Sequence, residues 1–227
     1  MKILTITCHH AYNHGAMLQA YALTKYLLSL GHDVKVIDYR PEYMPRRVVD
    51  CYRVPRRYDK FVIRSLYRWA KKTDNELEQR RRNSFEPFFE QHIPTTTQQW
   101  HNIQDLQINP PIADLYIAGS DQIWNTSFPN GNDASFYLDF GAAKRKISYA
   151  ASFATLELKE GSEKFVQEKL SNFDAISVRE SSGLNILQSL GFSGELVVDP
   201  VFLLPKENWA TFDNGAGSNA LYSCCYQ

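Results

Sequence analysis

The sequence has little of several features that would mark a specific class of protein. It contains four cysteines in 227 residues, and none stands in a CxxC pair or at zinc-finger spacing from a histidine. We therefore predict neither a metal site nor a disulfide framework. Lysine plus arginine balances aspartate plus glutamate, with 25 residues on each side, so no overall field attracts the chain to nucleic acid.

Long apolar segments are also missing. No stretch approaches the roughly 18 apolar residues that span a bilayer, and the apolar run at 2–7 is too short for the core of a signal peptide. The expected compartment is therefore a reducing cytosol. Apolar residues nevertheless make up 44% of the chain, which is close to the globular average and sufficient for a sizeable core.

Alternating strand and helix signals organise the chain at both ends. Apolar patterns predict strands at 2–7 and 34–38 around a helix at 16–30 that stops at Gly31. Such a unit implies parallel strands and a right-handed crossover. The rhythm resumes later, with predicted strands at 115–118, 146–150, 175–178 and 196–198 and helices at 161–173 and 179–190. We therefore predict an α/β fold with a Rossmann-like parallel sheet and flanking helices.

The segment between these two parts, about 42–112, is predicted to be a helical insertion. Apolar residues recur there at helical spacing, and Thr73 with Glu76 forms a capping box for one of its helices. The Rossmann-like domain then covers 1–214. Residues 215–227 are predicted to be a linker followed by the first strand of another domain.

One predicted helix of the insertion, at 58–72, is basic and amphipathic. Its positive side chains lie off the apolar stripe, at Lys60, Arg64, Arg68 and Lys71. Such a helix can lie on the anionic inner face of a membrane or hold an acidic or lipid-linked glycan. The alternative is a core-packed helix with a solvated basic face. No motif of an RNA-binding module is present.

Polar residues follow several of the predicted strands. Ligands of open parallel sheets bind outside the carboxyl ends of the strands, and three polar clusters are expected there: Asn13-His14-Gly15, Ser120-Asp121-Gln122 and Arg179-Glu180. The Asn13-His14-Gly15 cluster could present backbone N–H groups and the positive end of a helix to an anion. It is not a GxGxxG dinucleotide-binding loop, because it contains only one glycine. Its alternative role is helix capping by Asn13.

Asp121 and Arg179 are the candidates for chemistry in these clusters. The carboxylate of Asp121 could act as general base on a hydroxyl group or orient it. Its alternative role is structural, in an Asx-turn where it binds nearby backbone N–H groups. A guanidinium at a strand end can clamp a phosphate or carboxylate, and its alternative is an ion pair with Glu180 or another neighbour. Structural roles are favoured for three further candidates: His9, His10 and the Asp199-Pro200 turn.

An ordered set of segments resembles the polysaccharide pyruvyl transferase family. Any one segment is a weak indication of the family. The ordered set, which covers nearly the whole chain, is a more specific one. They are residues 13–23 (NHGAMLQAYAL), 37–41 (IDYRP), 119–125 (GSDQIWN), 147–153 (ISYAASF), 177–180 (SVRE) and 199–200 (DP).

The resemblance implies a two-domain fold similar to GT-B glycosyltransferases, with the active site between the domains. It also implies transfer of pyruvate from phosphoenolpyruvate to two sugar hydroxyls, without a metal or redox cofactor. Arg179 would bind the phosphate or carboxylate of the donor, and Asp121 would position or deprotonate the acceptor. The candidate substrate-binding residues beside them are Asn13, Gly15, Ser120, Gln122 and Glu180.

The chain is shorter than members of that family, and we expect it to correspond to their N-terminal half. Half of a cleft would supply only half of the donor's ligands, so we predict little transferase activity from this chain alone. Two other functions stay open on the sequence. One is a sugar-nucleotide glycosyltransferase of the GT-B type, and the other is a non-catalytic module that binds a glycan or phosphate.

Overall fold

A computed structural model describes residues 1–44, 72–141, 143–210 and 212. The basic helix predicted at 58–72 therefore lies outside the described residues, except for Lys72, and so does the predicted segment at 215–227. Among the helices that are described, none is both long and apolar enough to cross a membrane.

Five parallel strands form the central sheet. They are β1 (Lys2–Ile6), β2 (Asp33–Tyr39), β3 (Thr95–Trp100), β4 (Leu115–Ala118) and β5 (Arg145–Ser148). Their order in the sheet is β3-β2-β1-β4-β5. The strand order reverses at β1, which pairs with β2 on one side and with β4 on the other. Such a reversal opens a crevice at the carboxyl edge of a parallel sheet.

Two further strands continue the sheet beyond β5. They are β6 (Ser177–Val178) and β7 (Glu195–Leu196), which pair in parallel as a small second sheet. Single bridges, Ile147 to Ala175 and Ala151 to Val178, connect it to the larger one. The prediction of an α/β fold with a Rossmann-like parallel sheet is confirmed.

Helices flank this sheet and connect its strands. The α-helices are α1 (His14–Ser29), α2 (Lys72–His92), α3 (Ile103–Ile108), α4 (Glu163–Leu170), α5 (Ser181–Ser189) and α6 (Lys206–Ala210). Shorter 3-10 turns cover Pro129–Asn132, Ala134–Tyr137 and Pro200–Leu203. Helix α1 begins where the Asn13 side chain accepts a hydrogen bond from the backbone N–H of Ala16, which is an N-cap.

The prediction that residues 42–112 are wholly helical is wrong. Residues 95–100 form β3, which pairs with β2 at the edge of the sheet. The sequence of β3, TTTQQW, contains one apolar residue, and most of its side chains are exposed or half-buried. An edge strand without an apolar face shows no alternation, so the sequence carried no signal for it.

The largest part of the core packs on one face of the central sheet, against alternate residues of its strands such as Leu4, Ile37 and Tyr116. Trp124 is completely buried and stacks on Tyr137 at 5.6 Å between ring centroids. It also contacts the rings of Phe153 and Phe173. The backbone N–H of Trp124 donates to the carbonyl of Ser152 at 3.1 Å. This packing therefore fixes the two loops that follow β4 and β5.

Candidate active site

The residues that follow four strands meet at one place on the carboxyl edge of the sheet. Thr7, just after β1, donates through Oγ1 to the carbonyl oxygen of Ser120 at 2.5 Å. Ser120, after β4, donates through Oγ to Asp199 Oδ2 at 3.0 Å. Arg179, after β6, donates through Nη1 to the same carboxylate oxygen at 3.0 Å and approaches Ser120 Oγ at 3.4 Å. We call Ser120, Asp121, Arg179 and Asp199 the edge cluster.

Arg179 has donor capacity beyond these contacts. Its side chain is 28% exposed, and its Nε lies 3.8 Å from Glu180 Oε2. Within the part of the chain that the structure describes, no protein acceptor bonds its Nη2 atom. A partly exposed guanidinium with an available nitrogen can bind the oxygen of an anionic ligand.

Asp121 occupies a strained position in the loop after β4. Its φ angle is +93°, a region that residues other than glycine rarely adopt and that often occurs at functional sites. Burial raises the pKa of its carboxyl group. The N–H of Gln122 and the charge of Arg179 oppose this increase, whereas Asp199 adds to it. The carboxylate is therefore more basic than an exposed aspartate and lies within electrostatic range of Arg179.

The other predicted substrate-binding residues make local structural contacts. Glu180 Oε1 accepts hydrogen bonds from the N–H groups of Phe153 and Ala154, at 2.8 and 3.2 Å. Gln122 is exposed and accepts from the Asn125 side chain at 3.3 Å. Among the described contacts, no hydrogen bond or ion pair joins Asn13 or Gly15 to the edge cluster. Substrate binding by these four residues stays a prediction.

Asp199 was expected to form only a turn, and the structure gives it a second contact. Its Oδ1 accepts from the N–H of Val201 at 3.1 Å, which caps the 3-10 turn there. Its Oδ2 accepts the hydrogen bonds from Arg179 and Ser120 that are described above. The Asp-Pro sequence signalled the turn, but the partner lies 20 residues away and had no local signal.

A second polar network, which sequence reasoning missed, lies at the end of β2. Asp38 is 3% exposed, and Arg40 binds it through two parallel hydrogen bonds of 2.6 and 2.9 Å. The fully buried His9 places Nε2 at 3.3 Å from Asp38 and Nδ1 at 3.1 Å from the carbonyl of Thr7. These contacts agree with the structural role expected for His9. The only sequence signal was a charged pair, two residues apart, at the end of an apolar strand.

The network makes stability depend on the ionisation of Asp38. Burial raises the pKa of this carboxyl, but hydrogen bonds from His9 and Arg40 and their charges outweigh burial and lower the pKa to about 2. The folded pKa is thus below the unfolded one, so the stabilisation is present above about pH 4 and is lost as the pH falls through about 2.

We expect Asp38→Asn to lower the free energy of unfolding by about 2–3 kcal/mol near pH 7, because Arg40 loses its ionised partner. The deficit should shrink as the pH falls towards about 2, where the wild-type carboxylate is protonated. Urea denaturation at several pH values measures both effects. Asp33→Asn, at the exposed start of β2, is the control. A deficit independent of pH would contradict this account.

Cys8, in the loop after β1, lies within electrostatic range of Asp121 but is not suited to act as a nucleophile. Burial raises the pKa of its thiol, and the carboxylates of Asp121 and Asp133 raise it further. Asp133 is itself held by the hydroxyl groups of Tyr39 and Tyr43, which both donate to Oδ2 at 2.5 Å. A protonated thiol is a poor nucleophile, so covalent chemistry at Cys8 is disfavoured.

A family model described as polysaccharide pyruvyl transferase matches residues 13–226. The chain belongs to the polysaccharide pyruvyl transferase family. The match begins at the N-cap of α1 and includes the whole edge cluster, so the predicted resemblance is confirmed. Searches of curated proteins and of solved structures found no match.

Membership of the polysaccharide pyruvyl transferase family gives the crevice a chemical context. One part of it carries the guanidinium of Arg179, and the adjacent part carries the basic carboxylate of Asp121. The first is suited to an anionic group and the second to a hydroxyl group. Asp121 follows β4, which pairs with β1 at the reversal of strand order, where parallel α/β sheets bind ligands. Arg179 follows β6 and approaches Ser120 there.

Proposed function

We propose that the protein transfers pyruvate from phosphoenolpyruvate to two hydroxyl groups of a sugar, which forms a cyclic ketal and releases phosphate. The observation that supports this best is the position of a partly exposed Arg179 near a half-buried Asp121 whose pKa is raised, in a chain of this family. A glycosyltransferase that uses a nucleotide sugar is not favoured by any described contact.

The bonds that change define what the site must supply. Carbon C2 of the donor gains two C–O bonds to the acceptor and loses two bonds, the π bond to C3 and the bond to the phosphate oxygen, while C3 gains a proton. One acceptor proton balances the gain at C3, and the other leaves with phosphate or solvent. The site must therefore bind a dianionic leaving group and accept protons from hydroxyl groups.

Two residues of the edge cluster have these properties. The N–H groups of Arg179 would bind the donor's phosphate or carboxylate and stabilise charge as the C2–O bond breaks. Asp121 would accept a proton from an acceptor hydroxyl, and its raised pKa brings its basicity closer to neutral pH. Asp199 would hold Arg179 in place through the 3.0 Å ion pair.

The test combines phosphoenolpyruvate and a panel of p-nitrophenyl glycosides of glucose, galactose, mannose and N-acetylglucosamine with a high concentration of the protein, because little transferase activity is predicted from this chain alone. We expect phosphate release to match the appearance of the ketal carbon in carbon NMR spectra. Asp121→Asn should lower this rate about 100-fold and leave phosphoenolpyruvate affinity, measured by calorimetry, unchanged. Asp33→Asn, remote at the amino edge of the sheet, should have the wild-type rate.

Other results would redirect the assignment. Consumption of a nucleotide sugar, without use of phosphoenolpyruvate, would contradict the proposal and favour a glycosyltransferase. Binding of phosphoenolpyruvate or a glycan without turnover would favour a non-catalytic binding module. An unchanged rate in Asp121→Asn would remove this residue from the reaction.

A further inference from the structure

A cavity of about 420 Å³ lies between α2 and strands β2 and β3. This volume is within the range of small-molecule sites. Its wall is mostly polar, with hydroxyl groups from Thr95, Thr96 and Thr97, the amide of Gln99 and the carboxylate of Glu90, and the Asp38–Arg40 pair also lines it. The proposed reaction uses none of these groups.

A break in strand pairing shapes the wall of this cavity. Val36 pairs with Thr95, and Asp38 pairs with Gln99, so two steps along β2 correspond to four steps along β3. The N–H of Asp38 donates to the Thr96 side chain at 3.0 Å. Bulges of this kind often lie next to functional sites, where they redirect side chains. The backbone of β3 therefore builds the recess.

The wall of the cavity offers mainly uncharged hydrogen-bonding groups, from Thr95, Thr96, Thr97 and Gln99. Nε and Nη2 of Arg40 are paired with Asp38, and Glu86, also in the wall, is paired with Arg82 at 2.9 Å. Among the described residues, no three histidine, cysteine or acidic side chains are grouped to hold a metal ion. The hydroxyl and amide groups of the wall suit a ligand that is itself rich in hydroxyl groups.

The cavity is connected to the edge cluster by hydrogen bonds. Asp38 contacts His9 at 3.3 Å, and His9 contacts the carbonyl of Thr7 at 3.1 Å. Thr7 Oγ1 in turn donates to the carbonyl of Ser120 at 2.5 Å. Successive strand ends therefore link the two places along one edge of the sheet. These linking side chains are buried, so they fix the position of the cavity relative to the edge cluster.

We propose that this cavity is a subsite for a neutral sugar residue of an extended acceptor glycan, beside the residue that receives pyruvate. The inference rests on the proposed function, because it assigns a second part of the same acceptor. The exposed side chains of Thr97 and Gln99 supply hydrogen bonds to the sugar hydroxyls. The subsite makes the enzyme select oligosaccharides over single sugars.

Saturation-transfer NMR on the full chain tests the subsite without any need for turnover. The probes are maltotetraose, cellotetraose and chitotetraose, with the methyl glycoside of each constituent sugar, and phosphoenolpyruvate in a separate titration. At least one tetrasaccharide should bind. Thr97→Val and Gln99→Ala should each weaken it about fivefold, the usual effect of one neutral hydrogen bond. The methyl glycosides and phosphoenolpyruvate should bind all variants equally.

The matched control is Gln98→Ala, because Gln98 lies on the same strand, outside the cavity, and its side chain contacts Asn109 at 3.1 Å. This variant should keep wild-type saccharide affinity. The subsite is overturned if no tetrasaccharide binds, or if the control loses as much affinity as the lining variants. Failure of the wild-type chain to bind phosphoenolpyruvate would instead overturn the proposed reaction, and saccharide binding would still report on the cavity.

Discussion

Arg179→Ala should lower the rate of ketal formation from phosphoenolpyruvate by about two to three orders of magnitude, the usual cost of removing one donor that stabilises developing charge. The reason is the position of the guanidinium: it is 28% exposed, held by Asp199 at 3.0 Å, and within electrostatic range of Asp121. Steady-state phosphate release would measure the loss of rate, and calorimetry with phosphoenolpyruvate would measure the loss of donor affinity.

Lysine and a remote arginine provide the comparisons for this prediction. Arg179→Lys keeps the charge but loses the planar fork, so its rate should lie between those of alanine and wild type. Arg145→Ala, on the exposed first residue of β5 at the amino edge, should have no effect. Unchanged affinity for phosphoenolpyruvate in Arg179→Ala would contradict the proposed clamp.

The ion pair requires one more variant. Removal of Arg179 leaves the Asp199 carboxylate, which is 20% exposed, without its cation. The double variant Arg179→Ala with Asp199→Asn restores the charge balance. If the rate loss reflects donor binding, the double variant should stay as inactive as the single one while its thermal stability recovers.

Trp124→Ala should lower the free energy of unfolding by about 3–5 kcal/mol, as is usual when a buried tryptophan is truncated. The ring is completely buried among Tyr137, Phe153 and Phe173, and its indole N–H donates to the carbonyl of Phe136 at 3.1 Å. A void of this size cannot be filled by small shifts in a close-packed core. Urea denaturation measures the loss.

Trp124→Phe is the companion variant. It keeps an aromatic ring in the core and loses mainly volume and the indole hydrogen bond, so its deficit should be clearly smaller than that of alanine. Because Trp124 follows Asp121 by three residues, both variants should also disturb the edge cluster. If Trp124→Ala were as stable as the wild type, the packing around Trp124 would not be what holds the loop after β4.

Part of the fold could be predicted from local sequence patterns. The apolar runs at β1, β2 and β4 and the stripe of α1 were visible because each of these elements buries residues in the core. Polar residues that directly follow such runs could then be assigned to one edge, because parallel strands all end there. This reasoning placed Asp121 and Arg179 in the same neighbourhood, where the structure also has them.

The rest depended on contacts that are distant in sequence. Strand β3 is recognisable only through its pairing with β2, because its own residues are polar. The His9–Asp38 contact spans 29 residues, and the Arg179–Asp199 contact spans 20. A charged residue after a strand looks the same in the sequence whether its partner is water, a ligand or another side chain.

The hydrogen bonds between β5 and β6 have a thermodynamic consequence for binding. Asp121 follows β4 and Arg179 follows β6, and the backbone N–H groups of Ser148 and Ala151 donate to the carbonyls of Ala175 and Ser177 between the strands. The frame that carries both side chains is therefore assembled before a ligand arrives. Little of the intrinsic binding energy would be consumed in ordering this frame, so more of it would remain as observed affinity.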